Sequence, residues 1–294
     1  MVSVTKRKQM EYLINKLQKA VADDEFKRLF HGRGEKECRH ITVDSIGDLL
    51  FVQFYSEYDK ESLSFFKEYG KTKGYKTVVV KERFANNTFA LVGEVPKEHF
   101  ALERGMKFRL NFFNQNIGYF GDMKNSREYI EKISENKKVL NLFAYTCGFS
   151  LFARRGGAKY VANVDMSKSS LAVGMANHRI NSLDVKDISF WPYNILKAFG
   201  KLKKHSPYDI IIIDPPTFQK GSFSAKSDYI KIIKKLHTLS HENTTLLSCI
   251  NSPSFTKEEL ASLVEQNSSF RFKEMINPPR EYTNSSLKSL VFSQ

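Results

Sequence analysis

The 294-residue sequence contains no run of the roughly 18 apolar residues that a membrane-spanning helix needs, so no membrane partner is expected. Its first nine residues, Met-Val-Ser-Val-Thr-Lys-Arg-Lys-Gln, lack the apolar core of a secretory signal, and a cytoplasmic location is expected. Cysteine is scarce. Cys38, Cys147 and Cys249 are unclustered and form no Cys-x-x-Cys pair, which argues against a disulfide framework or a zinc site. No metal is therefore expected. The three-glycine Gly-x-Gly-x-x-Gly turn of many dinucleotide sites is missing, and so is any repeat or low-complexity tract.

Acidic residues are outnumbered. There are 46 lysines and arginines against 32 aspartates and glutamates, a net charge of +14. Such a surface attracts phosphate backbones, although scattered solvated lysines produce the same number. Hydrophobic residues make up 41% and charged residues 27%, the balance of a globular chain long enough for two domains or one large one.

What is present is organised around residues 138–150. Val139, Leu140, Leu142 and Phe143 read as a buried strand. Small residues follow, Ala144, Thr146, Cys147 and Gly148, and then an apolar helix from Phe149 to Ala153 that stops at Gly156-Gly157. Tyr160–Val164 is a second strand, ending in Asp165. Strand, tight turn, helix, strand and terminal acid form the βαβ pattern of a nucleoside site. A carboxylate at that strand's end can accept both ribose hydroxyls.

Along the chain, residues 5–30 read as an amphipathic helix: Met10, Leu13, Ile14, Leu17 and Val21 recur at helical spacing, and Phe26, Leu29 and Phe30 continue the face. His31-Gly-Arg-Gly34 follows as a basic turn, in which Arg33 is read as solvated in preference to a phosphate contact. Strands are expected at 41–43, 49–55, 77–80 and 88–92, with a helix over 58–70. This part reads as a small α+β accessory domain, 1–96, leaving 97–294 as the main domain. Two further strands are expected around 108–113 and 117–120, then a helix capped by Asp122. From 137 onward strand and helix alternate as a parallel sheet requires, with strands at 138–143, 159–164, 187–191, 208–213 and 244–250. Strand-like ends are expected at 270–275 and 287–293.

The chemistry converges on Tyr208-Asp-Ile-Ile-Ile-Ile-Asp214, a fully buried strand run that stops at Pro215-Pro216. Two prolines make a rigid corner at the carboxyl edge of the sheet, where ligands of open α/β sheets bind. Asp214 and the carbonyl of Pro215 are two fixed acceptors there.

With these motifs in hand the chain resembles the class I S-adenosylmethionine-dependent methyltransferases, and more closely the large-subunit ribosomal RNA methyltransferases of the I and K types. The resemblance rests on Arg28–Gly34, Gln115–Arg127, Leu140–Ser150, Val164–Ser167 and Asp214–Phe218. It implies a Rossmann-like sheet, S-adenosyl-L-methionine as cofactor and RNA, especially ribosomal RNA, as partner. It further implies that Phe143, Ala144, Tyr145, Cys147 and Gly148 hold the methionine end of the cofactor, that Asp165 binds the ribose, and that Met166 and Ser167 lie beside the adenine. Asn194 stands where the family usually carries an acid that reads the adenine amino group, and its amide oxygen can accept that bond. Gln115, Phe120 and Arg127 match the family's lid. No counterpart of the family's amino-terminal PUA domain is expected, so the accessory domain and basic surface are expected to supply RNA contacts. Asp214 and Pro215 are expected to line the target-base pocket.

Two chemistries stay open. Guanine N7 has a free lone pair and needs no covalent catalyst, whereas cytosine C5 needs a cysteine adding at C6. Cys249 is the candidate nucleophile, and its apolar setting favours a packing role; Thr217 makes the Asp214 motif more K-like. The competing readings are an RNA-binding protein without catalysis on the same fold, and an NAD-dependent dehydrogenase, which shares the βαβ unit but has no need of Asp-Pro-Pro.

Overall fold

Met10, Leu13 and Leu17 lie on one apolar face of α1 (Val4–Lys19), which packs in one cluster with the strands of a sheet, Leu13 and Leu17 fully buried. The computed structural model describes residues 4–19, 23–216, 225–282 and 284–294. The chain forms two compact units: Met1–Asp122 with Pro279–Ser285, and Met123–Pro278 with Ser286–Gln294.

In the first unit the strands β1 (Phe26–His31), β2 (Ile41–Ile46), β3 (Leu49–Phe54), β4 (Thr77–Glu82) and β5 (Asn87–Val92) lie side by side in chain order. Only β3 and β4 are parallel, joined across α2 (Lys60–Thr72), whose first turn is capped by Asp59 accepting from the Ser62 amide at 2.9 Å. Leu13, Leu17 and Phe66 of the helices pack on Leu50, Val52, Phe54, Val78 and Val80 of the sheet.

The long helix expected over 5–30 is two elements. α1 stops at Lys19, and residues 26–31 are β1; Val21 lies outside the described residues. The spacing of Phe26, Leu29 and Phe30 looks helical because β1 carries a bulge between Arg28 and Phe30, which breaks the two-residue alternation of a strand. Arg28 is nearly buried, forms an ion pair with Asp44 of β2 and lies 4.8 Å from the Tyr282 ring centroid.

The first unit runs to Asp122, beyond the boundary expected near 96. The hairpin β6 (His99–Glu103) and β7 (Met106–Leu110) belongs to it, because His99 bonds the Ile46 carbonyl at 3.0 Å and Phe112 packs edge-on against Phe51 at 5.1 Å. The buried Lys81 ammonium donates to the Phe112 carbonyl at 2.9 Å, a third tie. The hairpin's turn, Arg104-Gly105, has both residues at positive φ; the strand expected at 108–113 overlaps β7, and residues 117–120 form no strand.

The second unit opens with α3 (Lys124–Ile133), whose N-cap is Met123 and not Asp122. It continues with β8 (Lys138–Leu142), α4 (Gly148–Arg155), β9 (Tyr160–Val164), α5 (Lys168–Ile180), β10 (Ile188–Trp191), α6 (Ile195–Lys203), β11 (Ile210–Ile213), α7 (Ala225–Lys235), β12 (Thr245–Asn251), α8 (Lys257–Asn267), β13 (Arg271–Ile276) and β14 (Leu287–Ser293). Seven strands form one sheet in the order β10-β9-β8-β11-β12-β14-β13. The first five are parallel, and β14 runs antiparallel between β12 and β13. The four isoleucines of β11 are buried on both faces, as a central parallel strand demands. Strand order reverses between β8 and β11, which opens a crevice at their carboxyl ends.

Among the described residues Asp44 is the only carboxylate paired with the nearly buried Arg28. Asp44→Ala leaves that guanidinium uncompensated and is expected to cost about 3–5 kcal/mol, read as a lower urea midpoint. An unchanged midpoint would show that the pair contributes nothing net.

Candidate functional site

The register of the parallel strands assembles the site. Leu142 is level with Val164 on one side and Ile213 on the other, and Val164 is level with Trp191. The chain segments that leave these four strands therefore emerge together: 143–147 after β8, Asp165–Ser167 after β9, Asn194 ahead of α6, and Asp214–Pro216 after β11.

The turn after β8 is the most constrained piece of backbone. Phe143, Tyr145 and Cys147 have φ of 59°, 47° and 62°, the left-handed region, at roughly 1–2 kcal/mol per non-glycine residue. Gly148, the residue expected to give the turn its freedom, is instead the first residue of α4, and Cys147 is its left-handed N-cap. The strain is held by three bonds. The Ala144 amide donates to the Val164 carbonyl (3.0 Å), the Cys147 amide to the Ala144 carbonyl (2.7 Å) and the Tyr145 amide to Asp165 Oδ2 (2.9 Å). Ala144, Thr146 and Cys147 are buried, while Phe143, Tyr145 and Gly148 are half-exposed. Burial, reinforced by Asp165, raises the Cys147 thiol well above its usual range, so it is a packing group.

Asp165 is half-exposed, and its other oxygen accepts from the Ser167 amide at 2.8 Å. A carboxylate has about four acceptor positions, and backbone amides take two, leaving one on each oxygen for a ligand diol. Ser167 caps α5 by accepting from the Ser170 amide at 3.1 Å, and Met166 stands 45% exposed beside it. Asn194 is the N-cap residue of α6, yet its side chain makes no capping bond, so its amide is unspent on the helix. Asp214 is half-exposed and Pro215 buried. Thr217 and Phe218 of the same motif lie outside the described residues.

The remaining expected positions lie elsewhere. Gln115 and Phe120 belong to the first unit, where Phe120 is 42% exposed. Arg127 is buried on α3, its guanidinium 5.9 Å from the Phe152 ring of α4. Cys249 lies within β12, two residues short of its end, fully buried in the apolar cluster with Val139, Phe149 and Val291, and its thiol reaches Ser289 Oγ at 3.5 Å.

A buried polar chain beneath the turn was not anticipated. His178 Nδ1 lies 2.7 Å from the Gly174 carbonyl, an acceptor only, so Nδ1 carries the proton. Nε2 then accepts from Ser150 (2.9 Å), whose oxygen accepts from Asn163 (3.0 Å), whose carbonyl accepts from Asn141 (2.9 Å). Asn177 donates to the Thr146 carbonyl at 3.2 Å. Gly174 allows α5 this approach, since a Cβ there would lie 2.3 Å from Cys147 Sγ. The signal in the sequence is the pair Asn141 and Asn163, each one residue before the end of an apolar strand and level with the other.

Burial pushes His178 down to about 4, against the pull of its bond to Gly174. A histidine that stays neutral when folded takes up its proton only in the unfolded chain between pH 6.5 and 4. Its stability contribution is therefore fully present above about pH 6.5 and lost as pH falls toward 4, on the order of 3 kcal/mol. His31 of the first unit is lowered to about 4 as well, by burial and then Arg28, so the readout is a difference. Urea stability of His178→Asn should fall less steeply than the parent's over this range; equal slopes would remove His178 as a cause.

Residues 27–293 match the family model described as S-adenosylmethionine-dependent methyltransferase. The ribosomal RNA large subunit methyltransferase I of Aeromonas salmonicida is 32% identical over 193 residues, covering 62% of this chain and 49% of that protein. The ribosomal RNA large subunit methyltransferase K/L of Pseudoalteromonas translucida is 34% identical over 164 residues, 54% of this chain and 23% of that one. The chain thus spans about half or less of the curated relatives it matches. A solved protein of Streptococcus mutans, described as a SAM-dependent methyltransferase, superposes with a TM-score of 0.83 at 25% identity, covering 99% of this chain and 79% of its own. The match covers nearly the whole chain: the chain belongs to the S-adenosylmethionine-dependent methyltransferase family.

Proposed function

We propose that this chain methylates a base of RNA, in the large ribosomal subunit, at a ring nitrogen such as guanine N7. The observation that carries the choice of atom is the burial of Cys249. Methylation at cytosine C5 requires a thiolate that reaches C6 of the ring. The Cys249 thiol is 0% exposed, inside the apolar cluster and directed at Ser289, where a base cannot reach it. A nitrogen lone pair needs no such nucleophile.

The residues present fit the cofactor. The half-exposed Phe143 and Tyr145, the first turn of α4 and the two remaining acceptor positions of Asp165 form one continuous edge. The positive end of α4 suits a carboxylate at the methionine end. Asp165 would take the ribose hydroxyls, and Met166 and Asn194 the adenine. When bound, the cofactor supplies a sulfonium-activated methyl group. The protein's task is then alignment and exclusion of water. Asp214 and the Pro215 carbonyl, beside Phe143 at the strand-order reversal, orient the accepting base in line with that methyl. The base reaches them unpaired, from a loop or flipped out of its stack. The relatives named as ribosomal RNA enzymes and the +14 charge support the substrate class.

Asp165→Ala removes two charge-assisted bonds and is expected to weaken S-adenosylmethionine binding by on the order of 2–4 kcal/mol in calorimetry. Parent-like affinity would overturn the ribose assignment. Cys249→Ser should keep most methyl transfer into ribosomal RNA and lose some stability, while Asp214→Ala impairs transfer. A folded, cofactor-binding Cys249→Ser protein with no transfer at all would move the reading to cytosine C5.

A further inference from the structure

In the first unit one row of the sheet runs His31, Thr42, Gln53, Lys81 across β1 to β4. The residues just beyond this row at the ends of β1, β3 and β4 include Arg33, Tyr55 and Arg83, so pairing alone gathers them at one end of the sheet. There the Tyr55 ring carries two guanidiniums, Arg33 at 4.7 Å and Arg83 at 5.7 Å from its centroid. Arg33 is exposed, as expected of a solvated turn residue, and its guanidinium also lies over this ring. Among the described residues neither arginine forms a salt bridge. The nearby acids are engaged elsewhere, Glu35 by Tyr12 and Lys16, Glu82 by Tyr58 and Asn87.

Two phenylalanines flank this cluster. Phe84 follows Arg83 and is 48% exposed. Phe113 is 58% exposed in the loop that Arg83 holds by donating to the Gln115 carbonyl. A single exposed phenylalanine needs no explanation. Two of them beside two arginines that no carboxylate pairs with among the described residues are a different case. Guanidiniums held on one ring repel each other and favour an anion between them. Exposed aromatic faces favour a flat partner. Unpaired RNA supplies both, phosphates for the arginines and uncovered bases for the rings. A duplex hides its base faces, and an acidic peptide offers no flat face.

We propose that this end of the first unit, Arg33, Tyr55, Arg83, Phe84 and Phe113, is a platform for unpaired RNA. The proposal rests on the RNA reading above and names the surface that holds the strand. Arg33 and Arg83 take the backbone, and Phe84 and Phe113 stack on bases.

The test uses the full chain and fluorescence anisotropy with a labelled single-stranded RNA and its duplex, after calorimetry with S-adenosylmethionine confirms that each variant is folded. Phe84→Ala with Phe113→Ala should lower single-strand affinity about 10- to 100-fold and leave duplex binding unchanged. Phe84→Tyr with Phe113→Tyr should restore it. Arg33→Gln with Arg83→Gln should reduce the slope of log affinity against log salt by about 1.4. If the parent binds RNA and the phenylalanine pair changes nothing, the platform is wrong while the RNA reading stands, and the surface serves a different partner such as a protein. If the parent binds no RNA at all, the RNA reading fails and the platform with it.

Discussion

The second unit depends on one register. Leu142 sits level with Val164 and with Ile213, so the segments after β8, β9 and β11 leave the sheet at the same height. A slip of one residue would exchange the two faces of a strand and move its terminal acid out of line. The register is secured from inside. Leu140 and Leu142 pack to one side of β8 and Val139 to the other, each in a closed apolar cluster, and Asn141 meets Asn163 across the strands. Hydrophobic pairing and one buried amide pair therefore bring the strand ends that carry Asp165 and Asp214 level with Phe143.

The same arrangement explains a strained turn in a fold with a glycine available. Asp165 has two tasks, since its oxygens hold the Tyr145 and Ser167 amides while keeping acceptor capacity outward. The left-handed residues aim backbone and rings at the edge, and the close approach of α5 at Gly174 leaves the turn nowhere to relax. Strain at such a position is sustained by the surrounding bonds and keeps the turn shaped before a ligand arrives. The chain from His178 to Asn141 extends that support from α5 through α4 to the sheet. Each of its hydrogens has one direction once the Gly174 carbonyl assigns the histidine tautomer.

The first unit solves a different problem. It is built from local pairings, with strands in chain order and a single parallel crossover at α2. Its interior tolerates charge where partners exist, Arg28 on Asp44 and Lys81 on the Phe112 carbonyl. At one end of its sheet Arg33 and Arg83 lie over the Tyr55 ring without a salt bridge among the described residues.

Strong periodicity was readable directly. The buried runs Val139–Leu142 and Ile210–Ile213, the alternation of strands and helices after 137, and the acids Asp165 and Asp214 at strand ends follow from patterns in adjacent residues, because a strand or a helix repeats over a few positions. The helix over 5–30 was misread because the bulge at Arg28–Phe30 imitates helical spacing, and the unit boundary because His99 and Phe112 are tied to partners far back in the chain. The left-handed turn, the tautomer of His178, the seclusion of Cys249 and the meeting of Arg33 with Arg83 on Tyr55 were decided by tertiary structure alone. Each joins residues that no local pattern relates. The sequence by itself determined the strand runs and the acids that end them; only the packed sheets decided which segments meet, because register and burial are properties of several segments at once.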